Sequence, residues 1–228
     1  MASLAKYRRV PAWAAALSLW ALPAAAQVAA PGSAPPVAPQ VVSTGAEAAL
    51  ARLQAAAPTA RFTRGLATGL KLTLAGETPT ARAQAFLAQF GELFALPAGS
   101  VLVPVAAQGR SVRFAQQHDG LTVRNAGVVF AFDAEGRLKG YTDETRRFTG
   151  VLPATLDEAA ALRLAHTTLG LPESGAVPAV RRTLMAQGES AAVVFEIDLL
   201  VAPPMDVRRV LVDAVAGRVI GQEAMVRK

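Results

Sequence analysis

The sequence predicts an α+β fold made of two similar units, each a curved antiparallel sheet with one helix packed across it. Two observations carry this expectation. A segment with helical apolar spacing is followed by period-two segments separated by tight turns, and that order occurs twice along the 228 residues. The closing turns of the two parts also match. Phe130-Ala-Phe-Asp-Ala-Glu-Gly136-Arg-Leu stands beside Leu211-Val-Asp-Ala-Val-Ala-Gly217-Arg-Val, each a strand, an Asp, two or three residues, Gly, Arg and a further strand.

In chain order, residues 47–57 are expected to form a short helix that stops before Pro58, with Leu50 and Leu53 on one side. The run 69–76 alternates with period two and reads as a strand with Leu70, Leu72 and Leu74 inward. Thr78 is a suitable N-cap and Pro79 a suitable first helical residue, because the N–H that proline lacks has no intrahelical partner there. Ala83, Phe86, Leu87, Phe90 and Phe94 then recur at spacings of three and four, and Leu96-Pro97 ends the helix. Three strands are expected next, at 111–117, 122–133 and 137–142, with turns at Asp119-Gly120 and 133–136, which makes an antiparallel meander.

In the second part, Thr155-Leu-Asp-Glu158 reads as a capping box, and Leu162, Ala165 and Leu169 follow on one helical face until Gly170 and Pro172. Strands are expected at 179–185, 191–201, 207–213 and 218–223. Pro203-Pro204 reads as a protected edge, a bulged connection or a plain loop, since proline cannot donate in a ladder.

Composition bounds what these units can do. With 52% hydrophobic and 18% charged residues the chain is too apolar to be disordered throughout, and its length suffices for one or two domains with a substantial core. No cysteine is present, which removes disulfides, thiolate nucleophiles and Cys-ligated metals, and two histidines leave almost nothing for an all-protein zinc site. Lys6, Arg8 and Arg9 precede an apolar stretch over 10–22, followed by Pro23 and Ala24, Ala25 and Ala26. This is the pattern of a secretory signal peptide, and the apolar stretch is short of the roughly 20 residues a bilayer span needs. Cleavage after Ala26 removes three basic and no acidic residues, so the net charge falls from +6 to +3. Pro31, Pro35, Pro36 and Pro39 then stand in an uncharged segment that sets up no period and reads as a tether. The expected organisation is a signal peptide at 1–26, a Pro/Ala-rich linker at 27–45, a first unit at 46–150 and a second at 151–228.

Catalytic constellations are missing from the sequence. His118 and His166 are not spaced as a metal-binding pair, Asp157 and Glu158 fit a helix N-terminus, and neither a phosphate loop nor a Gly-x-Ser-x-Gly motif occurs. No cofactor is expected. The basic pairs Arg146-Arg147, Arg181-Arg182 and Arg208-Arg209 form no tract, acidic residues lie near them, and the phenylalanines fall at inward positions, so nucleic acid is not an expected partner. Binding to another protein is the class that remains.

One stretch is more specific. The stretch from about 69 to 148 resembles the propeptide (FTP) module shared by fungalysin- and thermolysin-type metallopeptidases, most tellingly at Val112-Arg-Phe-Ala-Gln-Gln-His-Asp-Gly-Leu-Thr-Val-Arg-Asn-Ala126, with Gln116, Gln117, Gly120, Val123, Asp133 and Gly136 on the family pattern. His118 and Arg124-Asn125-Ala126 depart from it. The second part, 155–223, is similar to the PepSY domain that follows this module in such proregions. The resemblance implies two cystatin-like units and a non-catalytic, secreted or periplasmic chain. It also implies that such a chain binds, inhibits or assists the folding of a thermolysin-type zinc peptidase, and it makes those six residues the candidates for motif or partner binding. The catalytic domain with its His-Glu-x-x-His helix is not in the sequence, which leaves a free-standing proregion-like protein and the front of a truncated peptidase both open. An envelope-associated binding module is the alternative. No membrane span is expected after cleavage, and the oligomeric state is left open.

Overall fold

The computed structural model describes residues 44–172, 178–201 and 206–225. The expected leader, the linker up to residue 43 and Pro203-Pro204 lie outside the described residues. Among the described residues the fold is α+β with a mostly antiparallel sheet and three α-helices. Helix α1 (Thr44–Ala56) is followed by the short hairpin β1 (Arg61–Thr63) and β2 (Leu66–Leu72), then α2 (Pro79–Phe90) and a 3-10 turn, Gly91–Phe94. Strands β3 (Ser100–Gln108), β4 (Ser111–His118), β5 (Leu121–Phe132) and β6 (Leu138–Asp143) form the meander, and β7 (Gly150–Leu152) leads into α3 (Glu158–Leu169). Strands β8 (Ala179–Gln187), β9 (Ser190–Val201), β10 (Asp206–Asp213) and β11 (Arg218–Met225) complete the described chain.

The strands run in the order β1-β2-β6-β5-β8-β9-β10-β11, with β3 and β4 on the other side of β5 and β7 beside β9. Two pairs are parallel, β7 with β9 and a single contact between Val123 of β5 and Leu184 of β8. Strand β5 therefore belongs to both parts: its far end pairs with β6 from Val128 onward, and its near end meets β8. The change of partner coincides with a bulge against β4. Asn125 takes a positive φ there, and a Cβ on Gly127 would stand 2.1 Å from the carbonyl oxygen of Phe114, so only glycine fits that approach.

Two buried clusters flank this bend. The first centres on Phe86, Phe94, Phe114 and Phe130, with α1 and α2 against the inner faces of β2, β4, β5 and β6. Phe94 and Phe114 each stand edge-on to Phe130, the arrangement aromatic quadrupoles favour. The second gathers Val123, Phe148, Leu184, Phe195, Ile197, Val210 and Val212 under α3, whose Ala161 and Ala165 are fully buried and let the helix lie close to the sheet.

Several expectations need correction. Helix α1 starts at Thr44, inside the stretch expected as tether, because Ala46, Ala49 and Leu53 make its buried stripe. Helix α2 stops at Phe90; Phe94 reaches the same core from the 3-10 turn, and Ala95 closes it with a positive φ. Strand β2 spans 66–72 and not 69–76; it carries positive φ at Gly69 and Lys71, so Leu70 and Leu74 are buried but Leu72 only partly. Strands β1, β3 and β7 were not expected. The N-cap of α3 is Asp157, which accepts from the Ala160 N–H at 2.7 Å, and no capping box forms. The Thr155 hydroxyl donates instead to the carbonyls of Ala214 and Val215, 3.0 Å away in each case.

Candidate interaction site

The sequence-selected residues fall into two groups. Gln116, Gln117, Gly120 and Val123 share the β4–β5 hairpin, whereas Asp133 and Gly136 form the turn at the opposite end of β5. Gln116 is fully buried. Its carboxamide nitrogen donates to the Arg146 carbonyl at 2.9 Å, and its oxygen accepts from the Arg146 N–H at 2.8 Å. One side chain thus holds one residue of backbone in the manner of a sheet ladder. Gln117 is half-buried between Val101 of β3 and Thr122 of β5, and Gly120 sits at the hairpin tip beside Asp119, both with positive φ. Val123 is buried in the second cluster.

At the other turn, the Asp133 carboxylate accepts from the Arg137 backbone N–H and from its guanidinium, each at 2.8 Å. Burial alone would raise Asp133, but these bonds outweigh it and hold its carboxyl below the usual range. Gly136 lies against α2, where an added Cβ would stand 2.2 Å from the Arg82 guanidinium.

The segment gripped by Gln116 is the connector between the two parts, and it is bonded along most of its length. Glu144 N–H donates to the Gly127 carbonyl, Thr145 to the Asp143 carboxylate, and Thr149 to the Glu189 carbonyl, while Phe148 inserts into the second cluster. His118 packs edge-on to Phe148 with ring centroids 5.0 Å apart, and its Nδ1 lies 3.0 Å from the Ser100 hydroxyl. His166 stands apart on α3, its Nδ1 buried with no hydrogen-bond partner in the described structure.

A second feature of this junction was not anticipated. Arg124, noted in the sequence only as a departure from a family pattern, projects from β5 onto the sheet face opposite α3. There it pairs with Glu196 of β9 at 2.8 Å and with Glu223 of β11. Arg209 of β10 grips both oxygens of Asp198, at 2.6 and 3.0 Å, and reaches Glu196 at 3.4 Å. Arg181 adds a further bond to Asp198. Three arginines and three carboxylates thus form one chain of zero net charge, and the side chains of Arg124, Glu196, Asp198 and Arg209 are only 10–15% exposed. The Arg209 guanidinium, helped by Arg181, holds the Asp198 carboxyl below the usual aspartate range against the push of burial.

In a flat sheet β5 and β11 would stand four strand spacings, about 19 Å, apart. Their bridging by one arginine shows that this part of the sheet is strongly curled. The signal was present in the sequence as Glu196 and Asp198, two residues apart on one face of an otherwise apolar strand. Their partners are set by register, which the sequence does not state.

Among the described residues no His, Cys, Asp and Glu group of three or more is placed to hold a metal ion, and no helix is long and apolar enough to cross a membrane. What the junction offers is a hydrogen-bonded platform. No family model matches the chain, and no curated protein matches it. Among solved structures, the Bacillus megaterium YpeB C-terminal domain matches over 71% of this chain and 72% of its own, with 13% sequence identity and a TM-score of 0.38, a likeness too distant to bear on function.

Proposed function

We propose that the chain is a non-catalytic binding module of the exported proregion type, acting on a thermolysin-type zinc metallopeptidase as inhibitor or folding assistant. The observation that carries this reading is the grip of Gln116 on Arg146. A residue on the propeptide-like pattern fixes the connector that leads from the first part of the chain to the second. In this reading the two parts are related, cystatin-like units, the first FTP-like and the second PepSY-like. Their final turns support this, because Asp133 and Asp213 each use a carboxylate to hold the N–H groups of the following turn. Gln116 and Val123 act from inside the platform and Asp133 and Gly136 by closing its turn, which leaves Gln117 and Gly120 at the hairpin tip to touch the partner.

The test mixes the purified chain with a panel of thermolysin-type peptidases that includes those secreted by its own host, and measures residual activity and co-elution. The expected result is a stoichiometric complex and loss of activity with at least one enzyme. Absence of both across the panel overturns the reading.

A further inference from the structure

Helix α1 and the β1–β2 hairpin border an open cleft of about 210 Å³ that takes only Asp143 and Arg147 from the junction described above. Its walls include Leu50, Phe62 and Leu93, and its polar side chains are Glu47, Thr63, Tyr141, Asp143 and Arg147. Tyr141 is only 9% exposed and its ring packs against Phe86, Phe94 and Phe130 in the first cluster. Its hydroxyl makes no hydrogen bond to a described residue and is not sealed from solvent, so it is open to a ligand from the cleft. Glu47 and Arg147 have no ion pair among the described residues. Asp143 commits one oxygen to the Thr145 N–H and hydroxyl and keeps the other free.

We infer that this cleft is a binding site for a single apolar residue carrying a free α-ammonium group, either a free amino acid or the first residue of a peptide. The apolar walls take the side chain. Glu47 and the free oxygen of Asp143 take the ammonium, and the Tyr141 hydroxyl with Arg147 takes the carbonyl or carboxylate oxygen. Burial, with the Asp143 charge beside it, pushes the Tyr141 phenol up to about 12, so it stays a donor throughout the neutral range. The volume suits one residue and falls below the roughly 300–1,000 Å³ of drug-sized pockets. The site stands whether or not the peptidase reading does.

The test is calorimetric titration of the full chain with L-leucine, with the tripeptide Leu-Gly-Gly and with N-acetyl-leucinamide. Binding of leucine or Leu-Gly-Gly, at least about tenfold tighter than the acetylated compound, is expected, as for a lost bond to a charged group. Preference for leucine identifies a free amino acid as the ligand, and preference for the tripeptide a peptide N-terminus. Glu47→Gln, at an exposed position outside the core, and Tyr141→Phe should each weaken binding by a similar factor, while Glu135→Gln, on the distant β5–β6 turn, should not. No heat with either free amine at millimolar concentration, equal binding of the acetylated compound, or unchanged binding by Glu47→Gln overturns the inference.

Discussion

A fully buried carboxamide must satisfy both its polar ends inside the protein, and Gln116 does so on the backbone of Arg146. Gln116→Leu keeps the apolar contacts and abandons that backbone, so a loss of about 1–3 kcal/mol in urea unfolding is expected. Gln116→Glu should cost more, because an ionised carboxylate cannot donate to the Arg146 carbonyl and its charge is desolvated. The importance of this position was legible in the motif, but its role was not, since its partner lies 30 residues away in a connector without pattern. Aspartates give the second residue-scale prediction. Asp133, Asp198 and Asp213 are all held below the usual range: Asp198 chiefly by Arg209, the other two by turn N–H groups that outweigh burial. Their folded values lie below that of the unfolded chain. The stabilisation is therefore present above the ordinary value of about 3.9 and disappears as the pH falls through the lowered folded values. Unfolding free energy should be flat near neutrality and drop below about pH 4, and Asp198→Asn should show a shallower drop in the same titration.

At the scale of elements, periodicity located what packing had already made periodic. Helix α2 with its Thr78 cap and Pro79, strands β4, β5, β6 and β8 to β11, and the Gly170 stop of α3 all follow from local spacing and turn chemistry. Strand β3 did not show itself. Its Val101-Leu-Val-Pro-Val run carries a proline that an edge strand tolerates, and its apolar side chains do not alternate, with Val101 and Val105 each more than half exposed. The expected capping box at the start of α3 does not form because Thr155 has two possible uses and the tertiary one prevails: the carbonyls of Ala214 and Val215 are within its reach, so Asp157 caps the helix. The two uses separate by mutation. Asp157→Ala should cost about 1 kcal/mol and fray the first turn of α3, read as faster amide exchange there. Thr155→Val should leave that turn protected and raise exchange around the β10–β11 turn instead. Equal loss of protection in the α3 turn from both changes would mean that Thr155 does cap the helix.

For the whole molecule, the question is whether two hydrophobic clusters behave as one folding unit. They share β5, but the backbone pairing of β5 to β8 is a single register position, so beyond the connector's own backbone bonds the join draws on side chains: Gln116 on the connector, Phe148 in the second cluster, and Arg124 across to Glu196 and Glu223. Arg124 can be removed without opening either cluster, since it lies on the face opposite α3. Arg124→Ala leaves Glu196 with Arg209 as its remaining cation and unbalances a nearly buried chain of charges by one negative unit, at a cost of about 3 kcal/mol. That cost falls on the coupling between the clusters. Wild-type protein should unfold in one calorimetric transition with matching calorimetric and van't Hoff enthalpies. Arg124→Ala should broaden or split the transition and lower the van't Hoff value relative to the calorimetric one. Pairing Arg124→Met with Glu196→Leu, which removes a cation and an anion together, should restore much of the stability while the transition stays broad, because apolar replacements fill the space without spanning β5 to β11. A single sharp transition in Arg124→Ala, merely shifted to lower temperature, would show that the shared strand and the connector suffice to make the clusters one unit.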